Sequence, residues 1–161
     1  MIRNIALATA VAVTALSGCT GKSAADCSAE CDKQTKTEEY MCKNVSPEDL
    51  AGICKAMDMY VKAAVEGDSK VARPAFAEGA TISHAEDGKL ICLPIQALFD
   101  YYDATGKQPA SYKVAECSVA GDVAMIRIES VFGESEFSDM FTLVKEGDEW
   151  KIVSKVFQAV Q

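Results

Sequence analysis

From Ser111 onward the chain reads as four β-rich segments, 111–119, 122–132, 136–145 and 149–160, parted by Ala120-Gly121, Gly133-Glu134 and Gly147-Asp148. Connections this short make successive segments antiparallel neighbours, so this half of the chain has to be a meander. A sheet with one apolar face must bury it, and the cover has to come from the residues before it.

Those residues supply helices. Ser46 can cap, Pro47 suits the first helical position, and Glu48 and Asp49 favour the positive end of the helix dipole. Leu50, Ile53, Cys54, Met57, Tyr60, Val61 and Ala64 then fall on one helical face, and Gly67 ends the run. Asp68 can cap a second, shorter helix towards Phe76. Ala80–Ser83 and Leu90–Leu93 read as short strands about the turn at 86–89, and Pro94 is expected to open a third helix carrying Ile95, Leu98, Phe99 and Tyr102. Helices first and strands afterwards give an α+β fold, about three helices under an antiparallel sheet.

The beginning of the chain concerns location. A basic residue, Arg3, precedes the apolar run Ile5–Leu16, the layout of an export signal. The run is shorter than the roughly 20 residues needed to span a bilayer. It closes on Leu16-Ser17-Gly18-Cys19, which resembles the lipobox of bacterial lipoproteins. The resemblance implies cleavage after residue 18, acylation of Cys19, and a lipid bilayer as partner through that Cys. The protein is then expected in the cell envelope, facing the periplasm or exterior. Thr20 in place of Asp favours the outer membrane if the source is Gram-negative. Residues 1–18 are thus the signal peptide, 19–26 the lipidated Cys and a small, polar tether, 27–46 a Cys-rich spacer, and 47–161 the folded domain. Without residues 1–18 the chain carries 15 basic and 24 acidic residues, with no basic stripe for nucleic acid.

Six cysteines remain after Cys19: Cys27, Cys31, Cys42, Cys54, Cys92 and Cys117. An even number in an exported chain points to disulfides. The first four lie close together and suggest two bridges. Cys92 and Cys117 suggest either a bridge or two buried thiols. The Cys-rich spacer is expected to form a short helix, which puts Cys27 and Cys31, four apart, on one face. Zinc wants a short Cys-x2-Cys knuckle that the chain lacks, so no metal and no cofactor is expected.

Tyr60–Glu66 with Gly67-Asp68, Ala75-Phe76-Ala77, Asp87-Gly88-Lys89-Leu90, Leu93-Pro94-Ile95, Asp139–Lys145 and Trp150–Phe157 together resemble the nuclear-transport-factor-2-like superfamily. The likeness is to its putative lumazine-binding, or SnoaL-like, branch. It implies a cone-like curved sheet with helices across its mouth, often around a pocket. Some members use that pocket for isomerase, dehydratase or cyclase chemistry, others for binding or dimerisation. Where relatives often have Phe-His-Pro, this chain has Phe76-Ala77-Glu78.

Few residues offer chemistry. His84 is the sole histidine, near a turn holding Glu86 and Asp87, and is suited to proton transfer at neutral pH. Asp139 lies among Phe137, Phe141 and Leu143 on one strand face. Burial there would raise its pKa towards that of a general base unless the carboxylate is paired. Lys155 lies between Val153 and Phe157. A four-residue loop at 146–149 would set Asp139 opposite Val156 and turn Lys155 to the other face; a three- or five-residue loop would pair the two. Tyr102 and Phe99, with Tyr101 and Trp150, are candidate pocket walls as well as core. The leading expectation is a non-catalytic module for a small apolar ligand or a partner. The alternatives are an isomerase or dehydratase with Asp139 as base and a structural homodimer.

Overall fold

The computed structural model describes residues 42–43 and 45–160, the first two in backbone only. The signal peptide, Cys19, the tether, and Cys27 and Cys31 lie outside the described residues. Strand β1 (Cys42–Lys43) is followed by helix α1 (Pro47–Glu66), a single turn α2 (Ser69–Ala72) and a 3-10 turn (Arg73–Ala75). Strands β2 (Phe76–Glu86) and β3 (Lys89–Pro94) precede helix α3 (Gln96–Thr105). Strands β4 (Ala110–Ala120), β5 (Val123–Phe132), β6 (Ser135–Glu146) and β7 (Glu149–Val160) complete the chain.

The strands form one sheet in the order β1-β4-β5-β6-β7-β2-β3. The meander β4–β7 is antiparallel, as its short turns require. The sheet as a whole is mixed, because β2 joins β7 in parallel and β1 joins β4 in parallel. Strand β2 starts at Phe76, earlier than Ala80, and the helix expected to run towards Phe76 gives way to the 3-10 turn at Pro74. Pro94 ends β3 and α3 starts at Gln96. Cys42 and Lys43, at the end of the spacer, form a short strand, and the helix expected around Cys27 and Cys31 lies outside the described residues.

Local chemistry explains the termini. The Ser46 hydroxyl accepts from the Asp49 amide at 3.0 Å and caps α1, and Gly67 ends it at φ 63°. A Cβ on Gly67 would sit 2.4 Å from the Gly106 carbonyl carbon, so the ends of α1 and α3 meet backbone to backbone. Asp103 of α3 accepts from the Ser69 amide (2.8 Å) and hydroxyl (2.9 Å), which lowers the pKa of its carboxyl and fastens α2 to α3. The β2–β3 hairpin turns on Asp87-Gly88, both at positive φ, the backbone of a type I′ turn.

Strand β5 alternates strictly, with Ala124, Ile126, Ile128, Ser130 and Phe132 buried on the face that α1 covers. The N-terminal half of α1 is clamped to the β6–β7 hairpin. Lys145 Nζ bonds Asp49 Oδ1 at 3.0 Å, and the Trp150 ring lies against Gly52, where a Cβ would meet Cδ1 at 2.8 Å.

The decisive detail is in β7. The β6–β7 turn pairs Glu146 with Glu149, the register that by itself would place Asp139 opposite Val156. The ladder slips between Leu143↔Ile152 and Thr142↔Ser154, leaving Val153 as an extra residue. Beyond this β-bulge Asp139 faces Phe157 and Phe141 faces Lys155, so Asp139 and Lys155 share the inner face after all. The expectation that a four-residue loop separates them fails because the bulge moves the rest of β7 by one residue.

Deleting Val153 should remove the bulge and leave Ile152 opposite Leu143, Lys155 opposite Phe141 and Phe157 opposite Asp139, so that the ion pair keeps its place on the inner face. Thermal unfolding followed by circular dichroism is expected to keep its cooperative transition. A deletion variant that loses that transition contradicts the assignment of Val153 as the extra residue.

Candidate functional site

The bulge brings four polar side chains together under α1. Asp139 is 0% exposed and accepts from Lys155 Nζ at 2.5 Å through Oδ1. Its Oδ2 accepts from the Ser130 hydroxyl at 2.6 Å and the Tyr60 hydroxyl at 3.1 Å. Three donors on one buried carboxylate meet the condition under which a charge tolerates burial. Tyr102 stands one step back, donating its hydroxyl to the Tyr60 carbonyl at 2.9 Å.

The ammonium group is held differently. Lys155 is 3% exposed, and beyond its bond to Asp139 it faces aromatic rings. Nζ lies 4.1 Å from the centroid of Phe157, 5.6 Å from Tyr60 and 5.8 Å from Phe141, all within cation–π range. Burial pushes the Lys155 pKa down, and the Asp139 charge opposes that shift. Burial, with the Asp139 charge beside it, pushes the Tyr60 hydroxyl well above the usual phenol range. Tyr60 is therefore a donor, not a proton source, at neutral pH.

Beside the pair the inner face is partly open to solvent. His84, opposite Ile91, lays its ring against Phe157 with centroids 4.8 Å apart, and Phe137 meets Phe157 edge-on at 6.0 Å. Ile82, adjoining Lys155, pairs with Leu93. Ile82, His84, Ile91, Phe137 and Phe157 are half-buried and Leu93 is exposed. The result is an apolar strip across β6, β7, β2 and β3 that borders the ion pair, with the Phe157 ring in contact with both His84 and the Lys155 ammonium.

The structure thus unites Asp139, Lys155 and, more remotely, Tyr102, and places His84 at the strip above them. Phe99 is elsewhere, packed edge-on against Phe76 at 5.6 Å with Arg73 over its ring. Tyr60 and Ser130 are the members that sequence reasoning missed. Each carries a hydroxyl on an otherwise apolar inner face, the signal by which either is recognisable.

Two expectations about thiols need correction. Cys92 is exposed and opposite Ser83, whose β7 partner, Val156, is on the outer face, whereas Cys117 is buried on the inner face. Four strands lie between them, so no disulfide joins the two and they are not a buried pair. Among Cys54, Cys92 and Cys117, the cysteines whose side chains are described, no two are bonded to each other. The described residues also hold no cluster of His, Cys, Asp and Glu fit for a metal ion, and no helix long and apolar enough to cross a membrane.

A curved sheet closed by helices over a small internal polar cluster defines a domain of the nuclear-transport-factor-2-like fold. A protein of this fold from Shewanella baltica, described as of unknown function, is 30% identical, with a TM-score of 0.68 over 74% of this chain and 99% of its own. Another from Methylobacillus flagellatus is 31% identical, with a TM-score of 0.67 over 75% and 99%. The chain belongs to the family described as putative lumazine-binding, which it matches over residues 48–158. It is also similar to a protein named aldolase FrzH from Cladobotryum sp., 26% identical over 125 residues, 74% of this chain and 98% of that one.

Removing either charge leaves the other buried alone. Asp139→Asn and Lys155→Met should each cost about 3–5 kcal/mol in urea unfolding. The double variant should cost clearly less than their sum. Additive losses would show that the pair is not coupled.

Proposed function

We propose that this chain is an envelope lipoprotein whose domain binds a flat, largely apolar small molecule without transforming it. The observation that carries the reading is the contrast between a closed polar cluster and the apolar strip beside it. Within the cluster, Asp139, Lys155, Ser130 and Tyr60 satisfy one another. Along the strip, His84, Phe137, Ile91 and Leu93 offer partly exposed apolar surface. Apolar walls around a few oriented polar groups are the usual make-up of a small-molecule site. The Leu16-Ser17-Gly18-Cys19 motif supports acylation of Cys19 and attachment to a membrane.

An isomerase- or dehydratase-type reading would make Asp139 the base, with His84 or a tyrosine hydroxyl as partner. Both Asp139 oxygens already accept bonds from protein donors, and the carboxylate is fully buried. Proton transfer would need a donor to leave and a path to the carboxylate to open. Kinship with a protein named as an aldolase, at 26% identity, is support for shared ancestry and not for a shared reaction.

Two probes test binding: lumazine and 1-anilinonaphthalene-8-sulfonate, titrated by fluorescence. Saturable binding is expected for at least one, weakened about tenfold or more by Phe157→Ala in protein that keeps its circular dichroism spectrum. Failure of both probes, or binding indifferent to both Phe157→Ala and Phe137→Ala, contradicts the proposal. For attachment, Cys19→Ser should move the protein from the membrane to the soluble fraction of cells. An unchanged distribution contradicts lipid anchoring.

A further inference from the structure

We propose that Cys42 and Cys117 form a disulfide that staples the cysteine-rich spacer to the sheet edge at β4. Strand β1 is two residues long, and its parallel pairing with β4 matches Cys42 to Cys117 and Lys43 to Ser118. So short an edge pairing supplies too few backbone bonds to hold itself in place. Its register supplies what the hydrogen bonds lack. Neighbouring strands run about 4.8 Å apart, within the Cα separation of about 4.4–6.8 Å that disulfides use. Register partners share a face, and on β4 Cys117 is on the buried, helix-covered side. The pairing crosses the two groups into which the cysteines fall along the chain. Cys92, at the opposite side of the sheet, has no part in it.

The bond would close a loop of about 75 residues, the long-range kind whose constraint on the unfolded chain is largest. Its formation removes two protons and two electrons from the two thiols. The acceptor is the disulfide of an exported thiol oxidoreductase, which leaves as a dithiol. This supply of oxidant rests on the envelope reading above. The consequence for function is one of orientation. The tether from Cys19 would reach the sheet at β4, while the strip around Phe157 and His84 lies towards β2 and β3, the side away from the anchor.

The test uses the full processed chain, extracted from membranes in detergent with thiols blocked by N-ethylmaleimide at lysis. Non-reducing peptide mapping should recover the Cys42 peptide joined to the Cys117 peptide. A second sample, reduced and then reoxidised with oxidised glutathione, separates the two ideas. A link found only there upholds the pairing and contradicts export. Cys117 alkylated in both samples, or Cys42 joined to Cys54, Cys27 or Cys31, overturns the proposal. Cys42→Ser, a substitution at the sheet edge, should lower Tm by several degrees without dithiothreitol and leave it unchanged with it. A shift identical in both conditions, or none in either, also overturns it.

Discussion

One buried ion pair organises this domain. Asp139 and Lys155 bring opposite charges into an interior otherwise built of Ile126, Ile128, Phe141, Leu143 and Ile152. Desolvating two charges costs several kcal/mol per ion, which the pair offsets only if the geometry is good and the remaining valences are used. Here Ser130 and Tyr60 complete the carboxylate and three aromatic faces surround the ammonium. The interaction fixes more than energy. Tyr60 comes from α1, Ser130 from β5, Asp139 from β6 and Lys155 from β7, so the cluster sets how the helix seats on three strands.

That cluster also limits what the interior can do. A general base needs a lone pair aimed at a substrate, and Asp139 has spent both oxygens on protein donors. A lysine nucleophile needs a neutral, reachable amine, and Lys155 lies between its counter-ion and the Phe157 ring. On the function proposed above, recognition falls to the strip around Phe157, where His84 and Phe137 pack against its ring.

Much of this frame was legible in the sequence. The α1 face was written in Leu50, Ile53, Met57 and Tyr60 at helical spacing, and β4–β7 in segments parted by glycine-bearing turns. Those signals are local, and local geometry decides them. The parallel placement of β2 beside β7 depends on long-range packing that no short window records. The ion pair was hidden for a sharper reason. The turn pairing Glu146 with Glu149 points to the wrong register, and the one residue that corrects it, Val153, is an ordinary strand former. A bulge without glycine leaves no trace in composition, so Lys155 could not be placed from the turn alone. Ser130 and Tyr60 were visible as hydroxyls on apolar faces, but their common target depended on the same hidden shift.

The most direct test of this account is the side-chain nitrogen of Lys155, observed by 15N-resolved NMR with Lys155→Arg to assign it. A caged ammonium bonded to Asp139 should give Nζ protons that exchange slowly enough with water to be seen at neutral pH. Its chemical shifts should be displaced by the Phe157 ring and should move in Phe157→Ala. Fast exchange, with the shifts of a solvated lysine, would mean that Lys155 is not enclosed with Asp139, and the ion pair at the centre of this structure would have to be given up.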